Sequence, residues 1–91
     1  MELEKIDIPY VQVPGGGIFA YINGDSTGKT VLLRSDIDAL PILESETNLK
    51  NKKICISKNP GVMHGCGHDG HIAMLLTAAK ILKNMEASLN G

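Results

Sequence analysis

Between Gly61 and His71 the chain sets three histidines, one cysteine and one aspartate among four glycines, and no histidine occurs elsewhere. Cys66 and His68 stand two apart around Gly67. On an extended backbone that spacing turns both side chains to the same side. A thiolate and an imidazole are both donors to divalent metal ions. Zinc fingers use wider gaps and a second, distant pair. The triplet alone therefore leaves open a polar loop that ligates nothing. His64 is a candidate donor to a substrate carbonyl or carboxylate, and His71 reads as a capping or packing residue of a first helical turn.

A second polar cluster, Arg34-Ser35-Asp36-Ile37-Asp38, closes an apolar run. Asp36 and Asp38 repeat the two-residue spacing at the C-terminal end of an expected strand, where ligands collect in α/β folds. A carboxylate beside a metal-binding histidine accepts the other ring N–H and fixes the imidazole. The plain alternative is that both aspartates cap a turn ahead of Pro41. Arg34 is expected to pair with a nearby carboxylate, and Cys55, in an apolar setting, to fill a small core position.

These clusters need elements to hold them. A weak alternating segment over about 6–13 is broken by Pro9, which suits an edge strand. Pro14-Gly15-Gly16-Gly17 is a turn, and Ile18 to about Asn23 reads as a strand. A second connection leads to a strand over about 29–35, whose unbroken Val31-Leu32-Leu33 core implies cover on both faces. Residues 36–70 lose periodicity and form the expected active-site loop, with Leu49 to Ile56 a candidate for one short strand; a stretch this long without structure of its own is uncommon unless functional or disordered. A helix follows over about 70–85, with Asp69 as its expected N-cap. Ile72, Leu75, Leu76, Ala79 and Leu82 make one apolar stripe, and Met74, Ala78, Ile81 and Met85 a second. A surface helix normally keeps half its circumference polar, so either the protein associates or much of the helix's natural cover lies outside these residues. The fold class is α/β: a small, mostly antiparallel β-meander of three to four strands with one long C-terminal helix.

Composition narrows the partners. With 91 residues there is at most one small domain. A net charge of −1 provides no field for nucleic acid. No apolar run approaches the ~18 residues of a membrane span, and the first residues lack signal-peptide character, which points to the cytoplasm. Two cysteines make no disulfide framework.

Leu33-Arg34-Ser35-Asp36-Ile37-Asp38-Ala39-Leu40-Pro41-Ile42, followed by Gly61 to His71, resembles the metal-dependent amidohydrolases that cleave N-acyl amino acids. That family takes in hippurate hydrolases, N-acetyl-diaminopimelate deacetylases and auxin-conjugate hydrolases, and is related to aminoacylase and carboxypeptidase metallopeptidases. The resemblance covers nearly the whole chain. It implies that Cys66 and His68 are ligands in a centre of two divalent metal ions, zinc or manganese. Asp38 then supports the site and Asp36 lines it. The substrate is an N-acyl amino acid or small peptide, attacked by a metal-activated water with a glutamate as general base.

The resemblance also implies what this stretch lacks. Family members carry helical sequence ahead of the position of Met1. Beyond Gly91 they carry a paired-glutamate motif, further histidine ligands and a dimerisation domain. Glu44, Glu46 and Glu86 lie outside any such motif. The resemblance thus implies a partial catalytic domain over 1–91, a fragment of a two-metal amidohydrolase, expected to be inactive alone and self-associating. The alternatives are a non-catalytic binding or assembly protein that associates through its apolar helix, and an enzyme completed by oligomerisation.

Overall fold

A computed structural model describes residues 1–91. Six elements follow one another. They are α1 (Glu2–Lys5), β1 (Tyr10–Gln12), β2 (Ile18–Ala20), β3 (Thr47–Asn48), β4 (Asn51–Lys52) and α2 (His68–Asn84). A 3₁₀ turn over Glu86–Ser88 ends the last helix. The strands form two separate antiparallel pairs, β1 with β2 and β3 with β4. The small antiparallel α/β architecture with a long C-terminal helix is thus present.

The local chemistry explains the elements. Glu2 and Glu4 sit in the first turn of α1; the Lys5 Nζ donates to Glu2 Oε1 at 2.7 Å and Tyr10 Oη to Glu4 Oε1 at 2.6 Å. Leu3 and Ile8 are the only buried residues, joined by the Ile8 N–H to the Leu3 carbonyl at 3.0 Å. The strand expected from residue 6 therefore starts later, at Tyr10, past a left-handed Asp7 and past Pro9, which has no N–H to contribute. Gly15, Gly16 and Gly17 all have positive φ, the conformation glycine takes without steric cost, and they turn β1 back onto β2.

Three expectations are corrected. Residues 29–35 form no strand: no backbone–backbone hydrogen bond involves any residue from 26 to 39, and Val31, Leu32 and Leu33 are 77%, 72% and 52% exposed. A strand needs neighbours, and none is present. The long loop holds not one short strand over Leu49 to Ile56 but a hairpin of two, β3 and β4, at Thr47–Lys52. Cys55 is an exposed thiol rather than a core residue.

The helix begins two residues earlier than its apolar pattern indicates, and none of its residues is buried. Across the molecule the radius of gyration is 16.6 Å, against about 12 Å for a compact domain of this length. The accessible surface is 7509 Å², where a folded monomer of this size exposes roughly 5,100 Å². Some 2,400 Å² therefore stays in water that an ordinary domain would cover, by the same size relation. No helix is long and apolar enough to cross a membrane.

Candidate metal centre

One backbone ladder brings the two polar clusters together. The Leu40 N–H donates to the Met63 carbonyl at 2.7 Å, and the Met63 N–H returns to the Leu40 carbonyl at 2.9 Å. This single antiparallel bridge places Asp38 and His64 on adjoining strands of chain. Gly65 fits close beneath it: a Cβ there would lie 3.2 Å from Leu40 Cδ1.

Asp38 is the hub. Its carboxylate Oδ1 lies 2.8 Å from His68 Nδ1. Its backbone carbonyl lies 3.1 Å from His64 Nδ1 and 3.3 Å from His68 Nδ1. Every partner of these two Nδ1 atoms is an oxygen acceptor, so each Nδ1 carries a proton, and in the neutral ring each Nε2 keeps its lone pair. His68 thus has a free Nε2 and a carboxylate holding the opposite nitrogen, the arrangement of an oriented metal-binding imidazole. His64 in this tautomer accepts at Nε2; donating to a substrate carbonyl, as its sequence position suggests, requires the imidazolium.

Asp36 goes elsewhere, forming an ion pair with Arg34 Nη2. That is the local pairing expected for Arg34, and of the two aspartates only Asp38 pairs with a histidine. His71 stacks on His68 with ring centroids 6.0 Å apart and planes inclined by 25°, which is the packing role expected of it.

Cys66 is brought near no such partner. Gly67 has φ 84° and ψ 14°, a left-handed turn that ends in the first residue of α2. The backbone at the Cys-Gly-His triplet is bent, not extended, so two-residue spacing no longer turns Cys66 and His68 to one side. The N-cap is Gly67, with no capping side chain, and Asp69 sits in the first turn. There its charge complements the helix dipole. Cys66 is an exposed free thiol. Thiolate, imidazole and carboxylate are the right donor chemistry for a divalent ion. His68 with Asp38 fits as one oriented ligand, but no group of three or more His, Cys, Asp or Glu side chains is placed to enclose an ion.

Glu44 and Glu86 are occupied. Glu44 accepts the Ser57 N–H at 2.6 Å and the Lys53 ammonium at 3.1 Å, and this pair of donors holds its carboxyl below the usual range. Glu86 accepts from the Lys83 ammonium and from the Asn23 N–H, and its carboxyl is lowered in the same way. The Asp38 carbonyl as a shared acceptor for two imidazoles has no signature in the sequence. Only the Leu40–Met63 pairing reveals it, and short bridges of that kind leave no periodic trace.

Residues 32–91 match the peptidase family M20/M25/M40. An N-acyl-L-amino acid amidohydrolase of Geobacillus stearothermophilus is 47% identical over 74 residues, covering 81% of this chain and 19% of that protein. An N-acetyl-L-cysteine deacetylase of Bacillus subtilis is 52% identical over 75 residues, 82% of this chain and 17% of its own length. An IAA-amino acid hydrolase of Arabidopsis thaliana is 44% identical over 91 residues, 99% of this chain and 20% of its own length. The chain spans about a fifth of the length of these curated relatives.

Proposed function

The chain belongs to the peptidase family M20/M25/M40, and from that premise we propose that it supplies part of a two-metal amidohydrolase site acting on the amide bond of N-acyl amino acids or small peptides. The observation that carries this is the 2.8 Å contact between Asp38 Oδ1 and His68 Nδ1, which leaves His68 Nε2 free and oriented. The names of the amidohydrolase and deacetylase relatives support the substrate class.

In this proposal His68 Nε2 and the Cys66 thiolate hold the metal, which is zinc or manganese. When bound, the metal pair supplies an activated water and a polarised scissile carbonyl. Asp38 holds the His68 tautomer and ring direction through its carboxylate. Asp36 lines the site while anchoring Arg34. His64, held by the Asp38 carbonyl, sits where it can meet a substrate oxygen once protonated at Nε2. Ligation by Cys66 requires its thiol to turn toward His68, a rotation that the exposed Gly65–Gly67 loop permits.

The 91 residues alone are proposed to be inactive, because Glu44 and Glu86 are committed to Lys53 and Lys83 and three ligands are not gathered. The chain is further proposed to self-associate through its uncovered apolar surface and to reside in the cytoplasm, where Cys55 and Cys66 remain thiols. Release of glycine from hippurate with added Mn²⁺ or Zn²⁺ tests the catalytic part. The chain alone is expected to give no turnover. Metal-dependent turnover that disappears in Cys66→Ala overturns the claim of inactivity and confirms the ligand.

A further inference from the structure

We propose that His71 is a positioning residue: its ring, stacked on His68, fixes the plane of that imidazole and with it the direction of the free Nε2. The proposal rests on the reading of His68 as a metal ligand and adds the residue that sets the ligand's aim.

His68 is tethered through one atom. Asp38 Oδ1 lies 2.8 Å from its Nδ1, and the Asp38 carbonyl oxygen lies 3.3 Å from the same nitrogen. The carboxylate that makes the shorter contact is 69% exposed. Two contacts at one nitrogen, one of them from a solvated side chain, locate that nitrogen better than they locate the ring plane. The Nε2 lone pair lies in that plane, so the plane decides where an ion can be met.

His71 supplies the missing restraint, on the face of the ring. Residues three apart on a helix are neighbours on one face. The His71 N–H donates to the Gly67 carbonyl at 3.1 Å, which closes the first turn of α2 beneath the pair. The ring centroids are 6.0 Å apart and the planes inclined by 25°, inside the separation of about 4.5–7 Å at which aromatic pairs attract. The arrangement is contained in one helical turn and needs no segment outside residues 67–71. His71 acts through His68 and not as a donor of its own, since no three His, Cys, Asp or Glu side chains are gathered around one point. A plane set in advance raises affinity because the ion meets the competent orientation without having to select it. The worth of an aromatic pair, a factor of about two to twelve in an equilibrium constant, bounds that gain.

His71 is exposed, so its replacement leaves the fold in place, and the helix signal of α2 in circular dichroism serves as the control. Two variants separate the ring from its nitrogens. His71→Phe keeps an aromatic face without a donor atom, and His71→Ala removes both. In the metal-free chain, the NMR order parameter of the His68 ring C–H groups is expected to fall by about a third in His71→Ala, as between rigid and flexible groups. It is expected to stay at the wild-type value in His71→Phe. Titration with Co²⁺ is expected to give an affinity about two- to twelvefold weaker in His71→Ala and no measurable loss in His71→Phe. An unchanged His68 order parameter in His71→Ala overturns the positioning role. A loss of affinity in His71→Phe as large as in His71→Ala also overturns it and makes His71 a ligand. A wild-type chain that binds no Co²⁺ refutes the reading of His68 as a ligand, and the metal-free order parameters then decide the ring restraint by themselves.

Discussion

Removing the Asp38 carboxylate charge while keeping its shape is the sharpest test of the proposed metal ligand. In Asp38→Asn the partner at 2.8 Å from His68 Nδ1 becomes an amide. The backbone carbonyl of residue 38 remains, 3.3 Å from the same nitrogen. The imidazole therefore keeps a weak tether and loses the charged one. Loss of a partner that orients a ligating histidine typically lowers metal affinity 10- to 100-fold. Asp38 is 69% exposed although His68 is only 18% exposed, so water screens the contact from one side. The lower bound applies, about tenfold, or ~1.4 kcal/mol of binding free energy. Titration with Co²⁺, followed through its thiolate absorption, measures the affinity and reports Cys66 at the same time. Asp36→Asn is the control, since Asp36 pairs with Arg34 and not with a histidine. Its expected change is less than about twofold, as for an exposed ion pair. Equal affinity in wild type and Asp38→Asn, or an Asp36→Asn loss as large as that of Asp38→Asn, refutes the assignment of Asp38 as the orienting group.

Gly67→Ala puts a side chain at φ 84° and costs ~1–2 kcal/mol; helix content by circular dichroism should fall, and an unchanged spectrum contradicts the left-handed cap. Gly28→Ala places a Cβ 1.9 Å from the Asn90 carbonyl oxygen. It should release the Gly24 and Asp25 N–H groups from residues 91 and 89, about 1–3 kcal/mol for two hydrogen bonds, read as faster exchange of those two amides. Acidification should free the 44–57 arm. Glu44 has its carboxyl held low by the Ser57 N–H and then by Lys53, so its contribution is present above the ordinary carboxylate range and is lost as pH falls through the depressed value. Exchange of the Ser57 amide, corrected for intrinsic rate, should rise there in wild type and show no such step in Glu44→Gln.

What the sequence makes legible is local. The triple glycine after Pro14 predicts the β1–β2 turn, because its backbone conformations are open to glycine and closed to most other residues. The 3.6-residue spacing of Ile72, Leu75, Leu76 and Ala79 predicts α2, and the start shifts only because Gly67 rather than Asp69 caps it. The strand over 29–35 is the instructive miss. Its residue types specify a covered strand, but a strand is a relation between segments. Composition predicts the need for neighbours without supplying them. The β3–β4 hairpin is only half legible, as a short strand somewhere in Leu49 to Ile56, for the opposite reason: Thr47 to Lys52 is polar and only two residues per strand, so neither alternation nor apolar content marks it.

The site divides along the same line. The residue types predict the Asp38–His68 contact, since a carboxylate and an imidazole attract wherever the chain lets them meet, and the Leu40–Met63 bridge lets them meet without any core. Predicting Cys66 beside His68 requires the conformation of Gly67, which side-chain types leave free, and here it is bent. The same two-residue spacing at Asp36 and Asp38 gives the two carboxylates different partners, because Arg34 takes the first and His68 the second. Two-residue spacing carries a same-side argument only where a ladder enforces extension. In this chain the stretch before Asp38 has no ladder at all.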